Sequence, residues 1–259
     1  MINFEKLIRV FNENTDLIFS GLITTLLLAV IGTVVGLFLG VFLAYGKNIA
    51  IKTTDSTFKK FIKYILLYFC KIYSAVFRGT PMMVQALIFK YACQGMGLNW
   101  EMIQFPKEVS NILNGWLLAG LIVITLNTTA YMGEIVRSGL NGVDTGQTEG
   151  ALSLGMSKSQ ASILIILPQA IRNALPTIGN ELIVNIKDSS VLNIIAVAEL
   201  FYRFKDIATT NYAFLECYIL IAMIYFVLTV ISSIVIKLIE KKLDGHKFNF
   251  GLFQKKEEF

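Results

Sequence analysis

Leu17–Tyr45 reads LIFSGLITTLLLAVIGTVVGLFLGVFLAY and carries no charged side chain. About 20 apolar residues in a helix cross the hydrocarbon core of a bilayer, so this stretch is long enough to span one. A soluble core segment would be broken by polar residues at helical or strand period, and this one is not. The run is too long for a signal-peptide core, and its flank Glu5–Asp16 is mixed in charge, so it is expected to be retained. Gly32, Gly36 and Gly40, then Ala44, recur at every fourth position. Such a small-residue face lets two helices approach closely and predicts a packing seam against another span or subunit.

Four more long apolar runs follow. Tyr64–Gln94 carries Lys71, Arg78 and Lys90. Trp116–Val136 has Glu134 near its end. Leu175–Leu200 is interrupted by charges near its middle, and Phe214–Ile236 is uninterrupted but for Glu216. The 259 residues are 55% hydrophobic and only 16% charged, below the roughly 25% of soluble domains, and the mean hydropathy is +0.64. The expected fold is all-α: an integral membrane helical bundle of five transmembrane helices. Five spans place the two chain ends on opposite sides.

Lysine and arginine bias orients the spans. Loop 46–63 carries Lys47, Lys52, Lys59, Lys60 and Lys63, and the tail after Ile236 carries Lys237, Lys241, Lys242, Lys247, Lys255 and Lys256. These two, with the segment Arg137–Arg172, fall on one side, read as cytoplasmic. The N-terminus, the loop Glu101–Glu108 and the loop Tyr202–Asn211 fall on the other. The expected organisation is an extracytoplasmic segment 1–16, a membrane domain 17–241 with a cytoplasmic loop 144–172, and a cytoplasmic tail 242–259. These loops account for the net charge of +5, which is not a nucleic-acid signal. Cys70, Cys93 and Cys217 all fall in spans without metal-ligand spacing, so neither a disulfide framework nor a metal site is expected. His246 is the sole histidine, which excludes a site built on several.

Two spans are interrupted by charge. Phe77-Arg78-Gly79-Thr80-Pro81 falls near the middle of the second, where proline removes a helix hydrogen bond and restricts the residue before it. Arg78 then sits about 20 Å along the helix at 1.5 Å per residue. In the fourth, Pro176 begins the span and Lys187-Asp188-Ser189-Ser190 falls midway. A charge at mid-bilayer costs about 2.5–3.5 kcal/mol, and transporters build sites from such paired interruptions. Arg78 suits a carboxylate held in a bidentate contact, and Asp188 suits an ammonium, with Lys187, Ser189 and Ser190 completing the shell. The alternative is a structural Arg78–Asp188 ion pair. On the third span Asn127, Tyr131 and Glu134 share one helix face. They line a pathway or make interhelical hydrogen bonds.

Glu149-Gly150-Ala151-Leu-Ser-Leu-Gly155 is followed by Met156-Ser157-Lys158-Ser159-Gln160 and closes on Ile165-Ile166-Leu167-Pro168. This predicts a helix, a turn and a second helix. Asp144 and Thr145 suit the first cap. Gly155 suits a left-handed closing residue, Ser157 with Gln160 forms a capping-box pattern, and Pro168 and Pro176 are expected to bend the exit into the fourth span. The result is a short helix offering Glu149 and a small face at Gly150 and Ala151 on one side of the membrane, which by geometry alone is a docking surface or an amphipathic linker.

The stretch resembles the EAA motif of ABC-importer permeases, in which Glu-Ala-Ala, a glycine four residues on and a terminal Ile-x-Leu-Pro recur. The departure is Gly150 for the first alanine. Gly146-Gln147, Leu167-Pro168-Gln169-Ala170, Leu175-Pro176, Lys187-Asp188-Ser189-Ser190, Phe77–Pro81 and Ala130-Tyr131-x-x-Glu134-Ile135-x-Arg137 resemble the polar amino-acid subfamily, and the likeness runs from about Ser20 to Lys241. The resemblance implies a type I importer in which two permease subunits pair. Each docks its EAA loop, here Glu149, Gly150, Ala151 and Gly155, into a cytoplasmic ATPase dimer, and an extracytoplasmic binding protein delivers the amino acid. It also implies substrate contacts at Arg78, Lys187, Asp188 and Ser189. The chain has no Gly-x-x-x-x-Gly-Lys-Ser/Thr loop, so it is expected to be a transporter subunit and not an enzyme. It needs no cofactor of its own, and ATP and Mg belong to a separate ATPase chain. Arg78 and Lys187–Ser190 on one chain favour a homodimer over a heterodimer. The same machine carrying another zwitterion, such as an opine or osmolyte, is the nearest alternative. An intramembrane protease would need a His/Glu set that is missing, and a stand-alone channel gives the EAA loop no purpose.

Overall fold

The computed structural model describes residues 4–103, 105–106, 110 and 112–244. Glu108, His246, Lys247, Lys255, Lys256 and the tail from 245 onward, all used in the charge reading above, lie outside the described residues. The elements run α1 Phe4–Glu13, α2 Thr15–Lys47, α3 Thr57–Gly79, α4 Met82–Gly95, α5 Gly115–Asn141, α6 Thr145–Ser153, the single turn α7 Lys158–Gln160, a π segment Ala161–Ile166, α8 Leu167–Asp188, a 3₁₀ stretch Ser189–Ile195, α9 Leu200–Asn211 and α10 Phe214–Asp244. No strand occurs among the described residues.

Four helical runs are long and apolar enough to cross a membrane: Thr15–Lys47, Gly115–Asn141, Lys158–Ile195 and Phe214–Lys242. The remaining expected span is divided. Ser56 accepts a hydrogen bond from Lys59 N and opens α3, and α3 stops at Gly79 because Thr80 and Pro81 are extended. The chain resumes as α4 after the break. The interruption expected at Arg78-Gly79-Thr80-Pro81 is therefore present, with Pro81 at the N-cap of α4, where its missing N–H costs no helix bond.

α2 and α5 form the centre, and their seam is the glycine row. A Cβ on Gly32 would lie 2.9 Å from Ile124 Cγ2, one on Gly36 2.9 Å from Thr128 Cγ2, and one on Gly40 2.6 Å from Met132 Cβ. The seam is thus internal to the chain. Around it Leu28, Ile124, Leu192, Ile195 and Val197 form one buried cluster, and Val10, Leu200, Phe204, Ile207 and Cys217 form a second where α1, α9 and α10 meet.

Two expectations about the fourth span are corrected. It does not begin at Pro176, which lies inside α8, and the second loop helix runs on into it through Pro168. The helix runs from Lys158 onward, with the π segment placed just before Pro168, so wider turns lead into a residue that has no N–H to give. Nor does the span continue to Leu200. Ala196 adopts φ +69° and ends the 3₁₀ stretch. Glu199, fully buried, then caps α9 by accepting from Phe201 N at 2.8 Å and Tyr202 N at 2.7 Å, with the Tyr225 hydroxyl donating at 3.0 Å. The segment read as loop Tyr202–Asn211 is consequently helix α9, with Phe204, Ile207 and Ala208 buried beneath it.

The loop from Asn48 to Ser56 is pinned at one acid. Asp55 Oδ2 accepts from Lys63 Nζ at 2.6 Å and from Lys52 N at 2.9 Å, and these two bonds, that of Lys63 foremost, hold the Asp55 carboxyl below its ordinary value.

Candidate functional site

α2 ends at Lys47, α5 carries Glu134 and Arg137 one turn apart, and α3 brings Arg78 to the same place. Lys47 Nζ lies 2.5 Å from Glu134 Oε1, Arg137 2.7 Å from Glu134 Oε2, and Arg78 3.4 Å from Glu134 Oε1. One carboxylate thus gathers cations from three helices. The Lys47 side chain is only 9% exposed, and a charge so enclosed needs a partner. The Arg78 guanidinium also lies 5.7 Å from the centroid of Tyr131, near enough for a cation–π contact. A pocket of about 560 Å³ opens here, lined by Lys47, Lys71, Ser74, Arg78, Glu134 and Arg137 among others. A second, of about 490 Å³, lies on the other side of Glu134 against Asn173 and Thr177 of α8.

Arg78 therefore pairs with Glu134. Among the described residues no ion pair joins it to Asp188, so the proposed structural Arg78–Asp188 pair is replaced. The physical reason is packing: α3 rests on α2 and α5, and Glu134 is the acid that α5 presents to it. Lys187 is exposed, Asp188 half-buried, and Ser189 fully buried with its hydroxyl donating to Ile186 O at 2.8 Å. The structure brings Arg78, Tyr131 and Glu134 together and leaves Lys187, Asp188 and Ser189 in a separate group at the end of α8.

Asn127 is the third member of the α5 stripe, and its amide reaches the α3–α4 break. Its Nδ2 donates to Gln85 Oε1 at 2.9 Å, and Gln85 Nε2 donates to Phe77 O and Thr80 O at 2.9 Å each. The carbonyls freed by Pro81 are thus satisfied from α4, as membrane interiors require. A further buried bridge joins three helices. Asn185 Nδ2 donates to Thr33 Oγ1 at 2.9 Å, and Thr128 Oγ1 donates to Asn185 Oδ1 at 3.1 Å.

Lys47, Gln85, Asn185 and Glu199 were not singled out from the sequence. Lys47 was counted only as loop charge. The signal available for Gln85 and Asn185 was an amide inside an apolar run, costly there without a partner.

The loop after α5 forms as expected. Asp144 Oδ1 accepts from Gly146 N at 2.6 Å and caps α6. Gly155 closes it at φ +83°, with Met156 N donating to Ala151 O at 3.1 Å. Ser157 and Gln160 form the reciprocal capping box. Ala151 and Ala161 are buried where α6 meets the π segment, and Gln169 of α8 donates to Gln147 of α6 at 3.3 Å. Glu149, Gly150 and Leu154 stand exposed, Leu154 at 86%. The helix is fixed at its base and bare on its outer face.

Comparison with known proteins places this arrangement. Residues 60–245 match the family described as binding-protein-dependent transport system inner membrane component. The arginine transport system permease protein ArtQ of Bacillus subtilis is 33% identical over 229 residues, 88% of this chain and 93% of that protein. A putative glutamine transport system permease protein GlnP of Rickettsia conorii is 31% identical over 243 residues, 93% of this chain and 98% of its own. A crystal structure of an amino acid ABC transporter with histidines superposes with a TM-score of 0.76 at 33% identity, covering 93% of this chain and 99% of that one. The chain therefore belongs to the family of binding-protein-dependent transport system inner membrane components.

Proposed function

We propose that the chain is the permease subunit of an ATP-binding-cassette importer that moves a polar amino acid into the cytoplasm by alternating access. The observation that carries this reading is the α6 hairpin, capped at both ends and seated on α8, yet exposed at Glu149 and Gly150. A rigid helix with a bare outer face transmits a push from a partner, and α5 links it to the Glu134 hub through only Gly142, Val143 and Asp144. The relatives named for arginine and glutamine transport, and the amino acid ABC transporter of like fold, support the cargo class.

In this reading the end bearing α6 and the lysine-rich 48–63 segment faces the cytoplasm, the N-terminus lies outside, and the C-terminus lies inside. Glu149, Gly150, Ala151 and Gly155 meet a separate ATPase dimer that holds ATP and Mg. A second permease subunit, a copy of this chain, completes the pathway, and an extracytoplasmic binding protein delivers substrate. The amino acid's carboxylate is taken by Arg78 in exchange for Glu134, the longest of whose three cation contacts is the one to Arg78. Asp188 takes its ammonium, with Lys187 and Ser189 shaping that end, and Asn127 and Tyr131 line the approach.

The test is ATP-dependent uptake into vesicles holding the assembled complex and its cognate binding protein, competed by each standard amino acid. Competition by one or a few polar amino acids is expected. Uptake competed only by opines or osmolytes would overturn the cargo, and uptake indifferent to ATP would overturn the machine.

A further inference from the structure

The pocket between α2, α3 and α5 carries more positive charge than its carboxylate answers. Lys47, Lys71, Arg78 and Arg137 line it, and Glu134 is the one acid among its lining residues. Glu134 is divided between Lys47, Arg137 and, more distantly, Arg78. Lys71 has no acidic partner within ion-pair distance among the described residues, and its ammonium rests 5.9 Å from the Tyr68 ring centroid. Ser74, one turn further along α3, lines the same pocket. It is 4% exposed, and its Oγ makes no hydrogen bond with the described residues. Buried polar atoms are nearly always partnered, so a hydroxyl donor beside surplus cations calls for an acceptor from outside this chain.

We infer that this pocket binds the phosphate of an acidic phospholipid headgroup. A phosphodiester offers several acceptor oxygens at once, which suits the Lys71 ammonium and Ser74 hydroxyl of α3 and the Arg137 guanidinium of α5, with Arg78 left to the substrate. Basic pockets between membrane helices take acidic headgroups in this way. The surroundings fit a lipid better than a soluble anion. Tyr68, Ile72 and Val76 flank Lys71 and Ala75 along α3 and are all exposed, giving acyl chains an apolar surface beside the charged one. The inference concerns the Lys71–Ser74 side of a pocket whose Arg78–Glu134 side the proposed function gives to the substrate, and it needs only the membrane-helix fold.

The test is native mass spectrometry of the full chain in its purified complex, after exchange with phosphatidylglycerol or phosphatidylcholine of matched acyl chains. The phosphatidylglycerol adduct is expected to be retained severalfold more than the phosphatidylcholine one. Lys71→Gln and Ser74→Ala, an exposed and a near-isosteric change, each lower that retention severalfold while leaving helical circular dichroism and the phosphatidylcholine signal unchanged. Excess inorganic phosphate leaves the lipid in place. Equal retention of the two lipids, retention indifferent to both variants, or displacement of the lipid by inorganic phosphate would each overturn the assignment, the last by pointing to a soluble anion.

Discussion

Glu134 of α5 accepts from Lys47 of α2 across 2.5 Å, although the two are 87 positions apart. The contact closes the lower end of the α2–α5 seam, and it stands among Arg78 and Arg137. Removing the acid would leave three cations facing one another, one of them nearly enclosed. Glu134→Gln is expected to cost about 1–3 kcal/mol, the range for losing one partner of a charged hydrogen bond, reduced from the fully buried case because Glu134 is 22% exposed. Thermal unfolding of the purified chain checks it. The double variant Lys47→Met with Glu134→Gln should lose less than the sum of the singles, with a coupling of about 0.5–3 kcal/mol. Strict additivity would mean that the pair contributes nothing.

The glycines separate by what surrounds them. A Cβ on Gly40 would meet Met132 Cβ at 2.6 Å and the Gly133 backbone at 2.9 Å, whereas one on Gly150 would meet nothing within 4 Å. Gly40→Ala must therefore push α2 away from α5 and is expected to destabilise by about 1–3 kcal/mol. Gly150→Ala gains helix propensity in α6, worth up to about 1 kcal/mol. Opposite shifts in the unfolding midpoint are the expected result, and equal shifts would show that the seam yields.

The break between α3 and α4 rests on one amide. Gln85 serves Phe77 O, Thr80 O and Asn127 together. Gln85→Leu keeps the volume and drops these bonds together with the one to Thr80 Oγ1. Unsatisfied carbonyls in an apolar setting cost about 1–3 kcal/mol, and the loss should concentrate at the break, read as faster hydrogen exchange around Thr80–Gln85 than in α2. Unchanged exchange there would assign the break to Pro81 alone.

Much of this was legible in the sequence, and the boundary has a physical cause. Periodic and local signals were readable: the uncharged run Leu17–Tyr45, the Gly32–Gly36–Gly40 row, Gly155 at the end of α6, and Ser157 with Gln160. Each is decided within a few residues. What escaped needed packing to resolve. The glycine row could not say which helix it met, and that helix proved to be α5. The sequence offered Asp188 to Arg78, and only the placement of α3 against α5 gave it Glu134. Pro176 looked like a helix start because proline ends most helices, but in a long membrane helix neighbouring elements tolerate it. Ala196 left no signal, since alanine rarely adopts a positive φ.

Arg78 and Asp188 lie in different groups, which gives the proposed substrate contacts separable effects. Arg78→Ala leaves Glu134 with Lys47 and Arg137, so the fold should survive and ATP-driven uptake should fall at least about tenfold, the equivalent of one lost charged contact of roughly 1.4 kcal/mol. Asp188→Ala should act likewise, while co-purification with the ATPase stays unchanged for both. Normal transport by both variants would remove these charges from the site.

Glu149 offers the sharpest test of the coupling role because nothing in the fold depends on it. Its side chain is exposed on α6, and the bonds that fix the hairpin come from Asp144, Gly155, Ser157 and Gln160 instead. Reversing its charge should therefore cost the isolated chain no more than the ±0.5 kcal/mol typical of surface changes. At a docking surface the same reversal sets like charge against whatever cation the partner presents, or removes the acid from a matched contact, and either costs several kcal/mol. Glu149→Lys is expected to leave the unfolding midpoint and membrane insertion intact and to abolish substrate-stimulated ATP hydrolysis in the reconstituted complex. Ser157→Ala is its counterpart: it should weaken the hairpin by about 0.5–2 kcal/mol through the lost cap and reduce coupling only in proportion. Full stimulation with Glu149→Lys would move the docking surface elsewhere, leaving the exposed Leu154 as the next residue on that face.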